Sequence, residues 1–321
     1  MRIALLGCGQ ATRMHSKTLA RVAPDVERAY ASRDGARARD YQERFGGVAA
    51  FDSYDAAIAD PAVDVVLVAS PPPTHLPLTL QALAAGKHVI VEKPPFLRSA
   101  DFDPVIAAEA ASRRRVFYAE NYYYKPLARR LRALLAEDAL GDVRFLHVNA
   151  LKRQQADGWR ADPAIAGGGA LFEGGIHWIN FIANLGLEVI RVRGFRPGSA
   201  GEGPERSMLV VVEYANGAVG TLSYSWEIHS PLQGVRMSRI YGTHGTIAFE
   251  SNGVFIASTG RRRSLSFPGL RDIAGYGAMF RDFIGALRED RAPELTTACA
   301  RRDLEIIEEA YRTADRTEST A

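Results

Sequence analysis

The first 120 residues alternate short apolar runs with alanine-rich segments whose apolar residues recur at helical spacing. The apolar runs lie at residues 2–7, 26–32, 63–70, 88–92 and 115–120. They are apolar throughout rather than at every second residue, which is typical of strands buried on both faces. A helix is predicted over 75–86, where Gly86 supplies a natural stop. This alternation predicts a parallel sheet covered on both faces by helices.

The pattern changes after about residue 140. The segments "DVRFLHVNALKR", "EVIRVRGF", "RSMLVVVEYANGAVGTLSYSWEIHS" and "MSRIYGTHGTIAFESNGVFIAST" are predicted strands, with short-turn signals at Asn216-Gly217 and Asn252-Gly253. Two helices, roughly 272–289 and 297–314, are expected to close the chain. The predicted fold class is α/β, with one domain at 1–121 and a second at 122–321 that carries a large, mainly antiparallel open sheet.

Composition narrows the classes of partner. The 321 residues are 47% hydrophobic and 24% charged, as is ordinary for a globular protein. The formal charge is only +3 and the arginines are scattered, so we expect no nucleic acid partner. The apolar run before Gly7 is too short for a signal sequence or a membrane span. Cys8 and Cys299 have no neighbours at metal-ligand spacing. A soluble, cytoplasmic protein without a metal or a membrane partner is expected.

A glycine-rich turn follows the first predicted strand. "LLGCGQATRMH" contains Gly7-x-Gly9-x-x-Thr12 and opens a helix. Gly7 permits a tight turn, and Gly9 lets the backbone approach a pyrophosphate. The helix N-terminus, at Gln10 and Ala11, offers amide groups and a positive dipole end to that anion. The motif predicts a dinucleotide site, although Thr12 stands where glycine or alanine is usual.

The end of the second strand selects between the two nicotinamide dinucleotides. A carboxylate there would accept hydrogen bonds from the ribose 2′-hydroxyl, but this chain has Ser32 and Arg33. A serine and a guanidinium suit a 2′-phosphate, and a missing carboxylate removes a repulsion. Asp34 follows at once and opposes this effect. We therefore expect NADP(H) to be preferred, with NAD(H) possible.

The next long strand ends in "ASPPPTHLP", residues 69–77. Its prolines force a rigid loop at the carboxyl edge of the sheet, where ligands bind in open α/β folds. Ser70, Pro71 and His75 are therefore candidate contacts for the cofactor. His75 could instead be a helix-start residue that faces solvent.

The strand "VIVEKPPF", residues 89–96, brings Glu92 and Lys93 to the same edge. The chain has only five lysines, and an isolated buried ammonium would be very costly. An adjacent carboxylate, a ribose and a substrate oxygen would make this position tolerable and tune the lysine. Both residues are candidate cofactor contacts, and Lys93 is a candidate catalytic group. A purely structural pair of Lys93 with Glu92 remains an alternative.

A second constellation lies in "GGGALFEGGIHWIN", residues 167–180. Its three leading glycines let the backbone approach the cofactor or another chain segment. If the stretch is helical from about 169, Glu173 and His177 share one face as i and i+4, with Asn180 beside them. The imidazole would take a hydroxyl proton while the carboxylate orients it. A metal site without a third ligand, or a plain amphipathic helix, are the alternatives.

Three motifs together resemble one family. Gly7-x-Gly9 with His15, "AGKHVIVEKP" at 85–94 and the 167–180 segment resemble the glucose-fructose oxidoreductase / inositol dehydrogenase / rhizopine-catabolism family, Gfo/Idh/MocA. The resemblance extends to "GTHGTIAF" at 242–249 and to the tail at 295–314. It implies a Rossmann domain followed by an α/β domain whose open sheet often mediates oligomerisation. A homo-oligomer, dimer or tetramer, is therefore expected.

The resemblance also implies roles for residues. Lys93 corresponds to the family's catalytic lysine and His177 to its proton-transfer histidine. Glu173 stands where many members have aspartate, and Asn180 where many have a second acidic residue. These two departures leave the substrate class open.

Two further segments of the sequence resemble segments that lie near the cofactor or the substrate in members of this family. "AENYYYKP", residues 119–126, matches the segment beneath the nicotinamide, which makes Asn121 and Tyr122 candidate contacts. "GWRADP", residues 158–163, matches a substrate-facing loop, with Trp159 and Arg160 as candidates.

The resulting hypothesis is an NADP(H)-dependent oxidoreductase that interconverts a secondary alcohol and a ketone on a sugar, cyclitol or related polyol. Lys93 and His177 would handle the substrate oxygen and its proton, and Glu173 would hold the histidine. A dinucleotide-binding regulator without redox activity is one alternative. An epimerase or eliminase that oxidises its substrate only transiently is another.

Overall fold

The computed structural model describes residues 1–155, 158, 163–198, 204–229, 234–260 and 263–318. The chain forms two compact units. The first contains Met1–Glu120 and Tyr276–Arg301, and the second contains Asn121–Gly275 and Arg302–Ala321. Each unit is built around one sheet.

The first unit contains a six-stranded sheet with the order β3-β2-β1-β4-β5-β6, in which every pairing is parallel. Its strands are β1 Arg2–Leu6, β2 Glu27–Ala31, β3 Ala49–Phe51, β4 Val65–Val68, β5 His88–Glu92 and β6 Val116–Ala119. The strands β4 and β6 are buried at every position, and β1 and β5 at all but the first. This confirms the parallel sheet that the uninterrupted apolar runs predict.

Helices connect these strands. They are α1 Gln10–Val22, α2 Gly35–Phe45, α3 Tyr54–Ala59, α4 His75–Ala84 and α5 Phe102–Ser112. Local chemistry sets some of the bounds. The Asp34 carboxylate accepts hydrogen bonds from Ala36 N and Arg37 N at the start of α2, and Gly46 ends that helix at φ +65°. The order of the strands, which reverses at β1, is that of a Rossmann dinucleotide-binding fold.

A later helix, α10 Tyr276–Arg288, belongs to this first unit although it follows the second unit in sequence. The phenyl ring of Phe280 packs edge-on against His15 of α1, with ring centroids 5.2 Å apart. Arg288 also pairs with Asp25, just before β2. The segment 272–289 was predicted as a helix, and the observed helix is four residues shorter at its start.

The second unit contains an eight-stranded sheet with the order β14-β13-β12-β11-β7-β10-β9-β8. The strands are β7 Val143–Leu151, β8 Val189–Phe195, β9 Ser207–Tyr214, β10 Val219–Ser225, β11 Met237–Gly242, β12 Thr246–Glu250, β13 Ile256–Thr259 and β14 Ser264–Ser266. Only the pairing of β7 with β10 is parallel. The mainly antiparallel sheet predicted from the sequence is confirmed, and both predicted Asn-Gly turns join antiparallel neighbours.

The second sheet buries one face. Along β9, Met208, Val210 and Val212 are buried, and the residues between them are partly exposed. The helices of this unit are α6 Asn121–Tyr124, α7 Pro126–Ala136, α8 Pro163–Ala166, α9 Ile176–Ala183 and α11 Thr297–Glu318, of which α11 begins in the first unit. Phe145 on β7 is half exposed, so the opposite face of the sheet stays open.

In the part of the chain that the structure describes, no helix is long and apolar enough to cross a membrane.

Candidate active site

The glycine turn after β1 brings three strands of the first unit together. Gly7 has a φ of +104°, and its amide donates to Ala31 O at 2.9 Å. A Cβ at this position would lie 2.8 Å from Ala69 O, so only glycine fits without displacing the backbone after β4. At Gly9, a Cβ would meet no described protein atom within 4 Å. Gly7 therefore serves the fold, while Gly9 leaves space for a ligand.

The N-terminus of α1 is suited to an anion. Among the described residues, no side chain caps this helix, and the sequence places no acidic residue in its first turn. The amide groups of the first turn, which begins at Gln10, are thus available to a phosphate. Thr12 is fully buried, and its hydroxyl donates to Gly7 O. A threonine at this position therefore holds the turn through a hydrogen bond, where glycine or alanine would hold it by close packing alone.

Replacing Gly7 or Gly9 by alanine is expected to affect two different properties, the stability of the fold and the affinity for the dinucleotide. Gly7→Ala should lower the free energy of unfolding by about 1–3 kcal/mol, because the new methyl group clashes with Ala69 at a positive φ. Gly9→Ala should leave stability unchanged, since its φ is −112°, and weaken dinucleotide binding by about tenfold. Thermal unfolding and fluorescence titration with NADPH measure the two effects. Unchanged affinity in Gly9→Ala would contradict this assignment of the turn.

Basic groups lie at the end of β2. Ser32 is buried, and its hydroxyl accepts a hydrogen bond from the Asp34 amide at 3.2 Å. Burial raises the pKa of Tyr54, and the positive charges of Arg33 and Arg37 oppose that rise. Burial likewise raises the pKa of Cys8 to about 11, against the charge of Arg37. Two guanidinium groups therefore act on the edge formed by the ends of β1 and β2.

The loop after β4 is tied to the loop after β5. His75 is buried, with its Nε2 2.8 Å from Ser70 O and its Nδ1 2.9 Å from Pro94 O. Burial lowers the pKa of His75, and the neighbouring carbonyl groups counteract this. Pro71 O accepts from the Thr74 hydroxyl at 2.7 Å. The structure gives His75 a role in holding these loops, and its contact with a cofactor stays a prediction.

Glu92 and Lys93 leave β5 at the carboxyl edge of the sheet, in the same unit as the glycine turn. The carboxylate of Glu92 is buried, with its Oε1 hydrogen-bonded to His15 Nε2 and its Oε2 2.9 Å from the Lys93 amide. Burial alone would raise the pKa of Glu92, but the His15 hydrogen bond and the nearby positive charges hold it below its usual range. Lys93 is half-buried beside an ionised carboxylate, as the sequence suggests.

The glycine-rich segment of the second unit makes its close approach to another part of the chain. A Cβ at Gly169 would lie 1.8 Å from Glu205 Oε2, and the Ala170 amide donates to Glu205 O. Glu205 Oε1 also accepts from Leu171 N and from the Tyr311 hydroxyl, both at 2.8 Å. Burial raises the pKa of Glu205, and these hydrogen bonds oppose the rise. Gly169 therefore makes room for a half-buried carboxylate.

The segment that carries Glu173 and His177 is not the continuous α-helix that the sequence predicts. Leu171–Gly175 forms a wide π-helical turn, and the regular α9 begins at Ile176. The phase between the two residues is therefore not that of an ideal α-helix. Glu173 is buried, and its charge adds to the burial that raises the pKa of Tyr224.

His177 stacks on an aromatic ring of α6. The rings of His177 and Tyr122 are 4.5 Å apart and 14° from parallel. The Nζ atom of Lys125 lies 4.3 Å from the centre of the Tyr122 ring, and Trp178 packs edge-on against the same ring. Two of the predicted residues, His177 and Tyr122, are thus brought together, with the orientation of the imidazole fixed by stacking.

The remaining predicted residues of the second unit have different surroundings. Asn180 is fully buried, and its amide donates to Asp303 Oδ2 of α11 at 2.6 Å. Asn121 is also buried, and its amide donates to Ala274 O at 2.6 Å. Trp159 and Arg160 lie outside the described residues. Among the residues that are described, no group of three or more His, Cys, Asp and Glu side chains is placed to hold a metal ion.

Several residues of these sites were not found from the sequence. Arg37 adds a charge at the β2 edge, Glu205 holds the glycine segment, and Lys125 lies over Tyr122. The scarcity of lysine was a usable signal for Lys125, which is 4% exposed. Glu205 gave no local signal, because its partners lie more than thirty residues away in sequence.

Two family models match the chain. Residues 1–120 match the family model described as the oxidoreductase family with an NAD-binding Rossmann fold, GFO_IDH_MocA. Residues 128–248 match the GFO/IDH/MocA C-terminal domain. The chain therefore belongs to the GFO/IDH/MocA family of NAD(P)-dependent oxidoreductases, whose members act on CH–OH groups.

Similar proteins include two curated enzymes. The trans-1,2-dihydrobenzene-1,2-diol dehydrogenase of Xenopus tropicalis is 28% identical over 250 residues, which are 75% of this chain and 72% of that protein. The dTDP-3,4-didehydro-2,6-dideoxy-alpha-D-glucose 3-reductase of Streptomyces violaceoruber is 34% identical over 200 residues, 60% of this chain and 57% of that one.

A solved structure of similar fold is that of GenD2 from gentamicin A biosynthesis in complex with NAD. It superposes with a TM-score of 0.83 at 28% identity, and the match covers 98% of this chain and 94% of that one.

Proposed function

We propose that the protein interconverts a secondary alcohol and a ketone on a sugar, cyclitol or related polyol, with NADP(H) as its preferred cofactor. The observation that supports this most is the position of Lys93, which leaves β5 at the carboxyl edge of a Rossmann sheet beside the buried Glu92. The bound nicotinamide supplies hydride acceptance and donation. The chain itself must bind the dinucleotide, hold the substrate and move one proton.

Lys93 is proposed to hydrogen-bond the reacting oxygen. An ammonium group stabilises the negative charge that develops on this oxygen as its proton leaves. The ionised Glu92 carboxylate offsets the cost of keeping that ammonium half-buried. The Lys93 ammonium can thus face a polyol oxygen, with the negative charge of Glu92 nearby.

His177 is proposed to exchange the proton of the substrate hydroxyl. Its stacking on Tyr122 supports this proposal, because a fixed imidazole can meet a hydroxyl in one orientation. We propose that Glu173 holds the imidazole, and that Tyr122, Trp159, Arg160 and Asn180 contact or support the substrate.

The preference for NADP(H) is supported by three features at the end of β2. The strand is followed by a serine rather than a carboxylate, and Asp34 is engaged in capping α2. Arg33 and Arg37 both bring positive charge to this edge. Guanidinium groups form charge-assisted hydrogen bonds with phosphate, which the 2′-phosphate of NADP(H) provides.

Removing this charge should reverse the preference. The double variant Ser32→Asp/Arg33→Ala should lower the ratio of kcat/KM for NADP(H) over NAD(H) by about 100-fold, the loss of roughly 2–3 kcal/mol of charge-assisted bonding. The control is Arg44→Ala, in the last turn of α2, which should leave the ratio unchanged. Steady-state kinetics with both cofactors measures the ratio. A wild-type enzyme that uses NAD(H) equally well contradicts the preference.

The substrate class is proposed from the family and its relatives. The Xenopus relative is named for a diol and the Streptomyces relative for a dTDP-linked deoxy-keto-sugar. A panel of diols, free sugars, cyclitols and keto-sugars, followed by nicotinamide absorbance, tests the proposed function. Absence of any absorbance change across the panel, with dinucleotide still bound, would favour a regulator without redox activity.

We also propose that two copies associate through the open face of the second sheet. Phe145 and His147 on β7 stack there, and Tyr241 of β11 packs beside them. Apolar and aromatic side chains on an exposed sheet face favour burial against a like surface. The molar mass in solution, from light scattering, tests this association.

A further inference from the structure

A buried histidine of the first unit remains outside the proposed reaction. His15 lies on α1, one turn after the residues that would receive the pyrophosphate, and is fully buried. Its Nε2 bonds to Glu92 Oε1, and its Nδ1 has no hydrogen-bond partner among the described residues. The hydrogen bonding of this imidazole is thus directed to Glu92. Burying a polar group is costly unless it is hydrogen-bonded, so the bond to Glu92 offsets part of the cost of burying His15.

The Glu92 carboxylate links His15 to the backbone of Lys93. Its second carboxylate oxygen accepts the Lys93 backbone amide at 2.9 Å, so the carboxylate bridges α1 and the first residue after β5. On the far side of Lys93, His75 lies 2.9 Å from Pro94 O. The short segment that carries the ammonium is therefore held at both ends by buried groups.

Aromatic rings of α10 pack against His15. Tyr276 and Phe280 of α10 meet the imidazole edge-on, with ring centroids 5.9 and 5.2 Å away. Among the described residues, the charged or titratable groups that act on Glu92 are His15 from α1, His75 from α4 and Lys93 from its own segment. In this apolar surrounding the His15 bond is strong, and its loss would leave a buried acceptor unsatisfied.

We infer that His15 is a positioning residue for Lys93, acting through Glu92 and coupling the nucleotide-binding helix to the catalytic ammonium. The inference rests on the proposed function only in giving Lys93 its catalytic role. Without the His15 donor, Glu92 would retain its proton to a higher pH. The ammonium would then lose a nearby negative charge at acidic pH, and the start of its segment would be less firmly held.

Three variants separate positioning from packing. His15→Phe keeps the ring shape against Tyr276 and Phe280 but removes the donor. His15→Gln places an amide near the position of Nε2 and should restore the bond. Lys87→Met removes a buried ammonium that donates to Asp60 O and Val63 O at the opposite end of β5, and serves as the control for lost stability.

The kinetic experiment measures kcat, KM and the pH profile with NADPH. His15→Phe should lower kcat by about 100-fold, since a displacement of about 1 Å at the reacting groups can have that effect. The acid limb of kcat/KM should move to higher pH, while the Kd of NADPH changes by less than about threefold. His15→Gln should recover most of kcat, and Lys87→Met should leave the acid limb in place. A His15→Phe enzyme with wild-type kcat and an unmoved acid limb overturns the inference.

A second measurement does not depend on turnover. Acylation of Lys93 by an amine-selective reagent is followed by peptide mass spectrometry over pH, with the exposed Lys17 as internal reference. Below neutral pH, the acylation rate of Lys93 relative to that of Lys17 should rise about tenfold in His15→Phe. In His15→Gln the relative rate should return to that of the wild type. An unshifted rate overturns the inference. If the wild type turns over no substrate but the Lys93 rate shifts as described, the proposed function fails while the positioning role stands.

Discussion

Lys93→Met is expected to lose about 10²–10³-fold in kcat while its affinity for NADPH stays close to that of the wild type. The methionine side chain has a similar length but no charge, so the developing negative charge on the substrate oxygen is left without its donor. Loss of one such donor lowers kcat by about 10²–10³-fold in enzymes that stabilise an oxyanion. The glycine turn and the N-terminus of α1 are unchanged, which preserves dinucleotide binding. Stopped-flow absorbance and fluorescence titration measure the two quantities.

Two other lysines provide controls for this variant. Lys17→Met changes an exposed residue on α1 and should leave both quantities unchanged. Lys87→Met changes a buried lysine that donates to the backbone carbonyls of Asp60 and Val63, and it should lower the melting temperature with little effect on kcat. If Lys93→Met retains turnover within about threefold of the wild type, the ammonium is not the group that stabilises the reacting oxygen.

His177→Phe is expected to lose about 10²–10⁴-fold in kcat, the usual contribution of a general acid or base. Phenylalanine keeps the stack on Tyr122, so the loss reports on proton exchange rather than on packing. Dinucleotide binding should persist, because the glycine turn belongs to the first unit. The same kinetic and fluorescence measurements apply.

The control for His177 is another ring of the second unit. His147 is exposed on β7 and bonds to Thr221, so His147→Phe should keep full activity. His177→Ala, which also removes the stack, should be no more active than His177→Phe. Wild-type turnover in both His177 variants would show that a different group moves the proton. Full activity in the Lys93 and His177 variants together would remove the proposed mechanism.

The strands of the first unit could be predicted because their signal is local. An uninterrupted run such as 88–92 is apolar because both faces of its sheet are covered, and the observed β5 has those bounds. The glycine turn was equally accessible, since Gly7 is required by one backbone conformation and one close contact. The positions of Glu92 and Lys93 at the carboxyl edge followed from where the strand ends.

The second constellation was predicted less completely. The sequence indicates that Glu173, His177 and Asn180 share a helix, but the π-helical turn at Leu171–Gly175 changes the phase. Asn180 then meets Asp303, from a helix more than a hundred residues later. The amide can donate to this buried carboxylate, whereas a second acidic group at the same place would repel it. Such a pairing has no periodic signal in the sequence.

The sequence by itself determined the class of each sheet, the glycine turn and the family, because these depend on residue type at short spacing. The tertiary structure alone decided which distant groups pair: His15 with Glu92, Glu205 with the glycine segment, and Tyr122 with His177. The physical reason is the distance along the sequence over which each effect acts. Periodicity and turn chemistry act over a few residues, whereas a buried polar side chain is satisfied by whichever partner the folded chain brings to it.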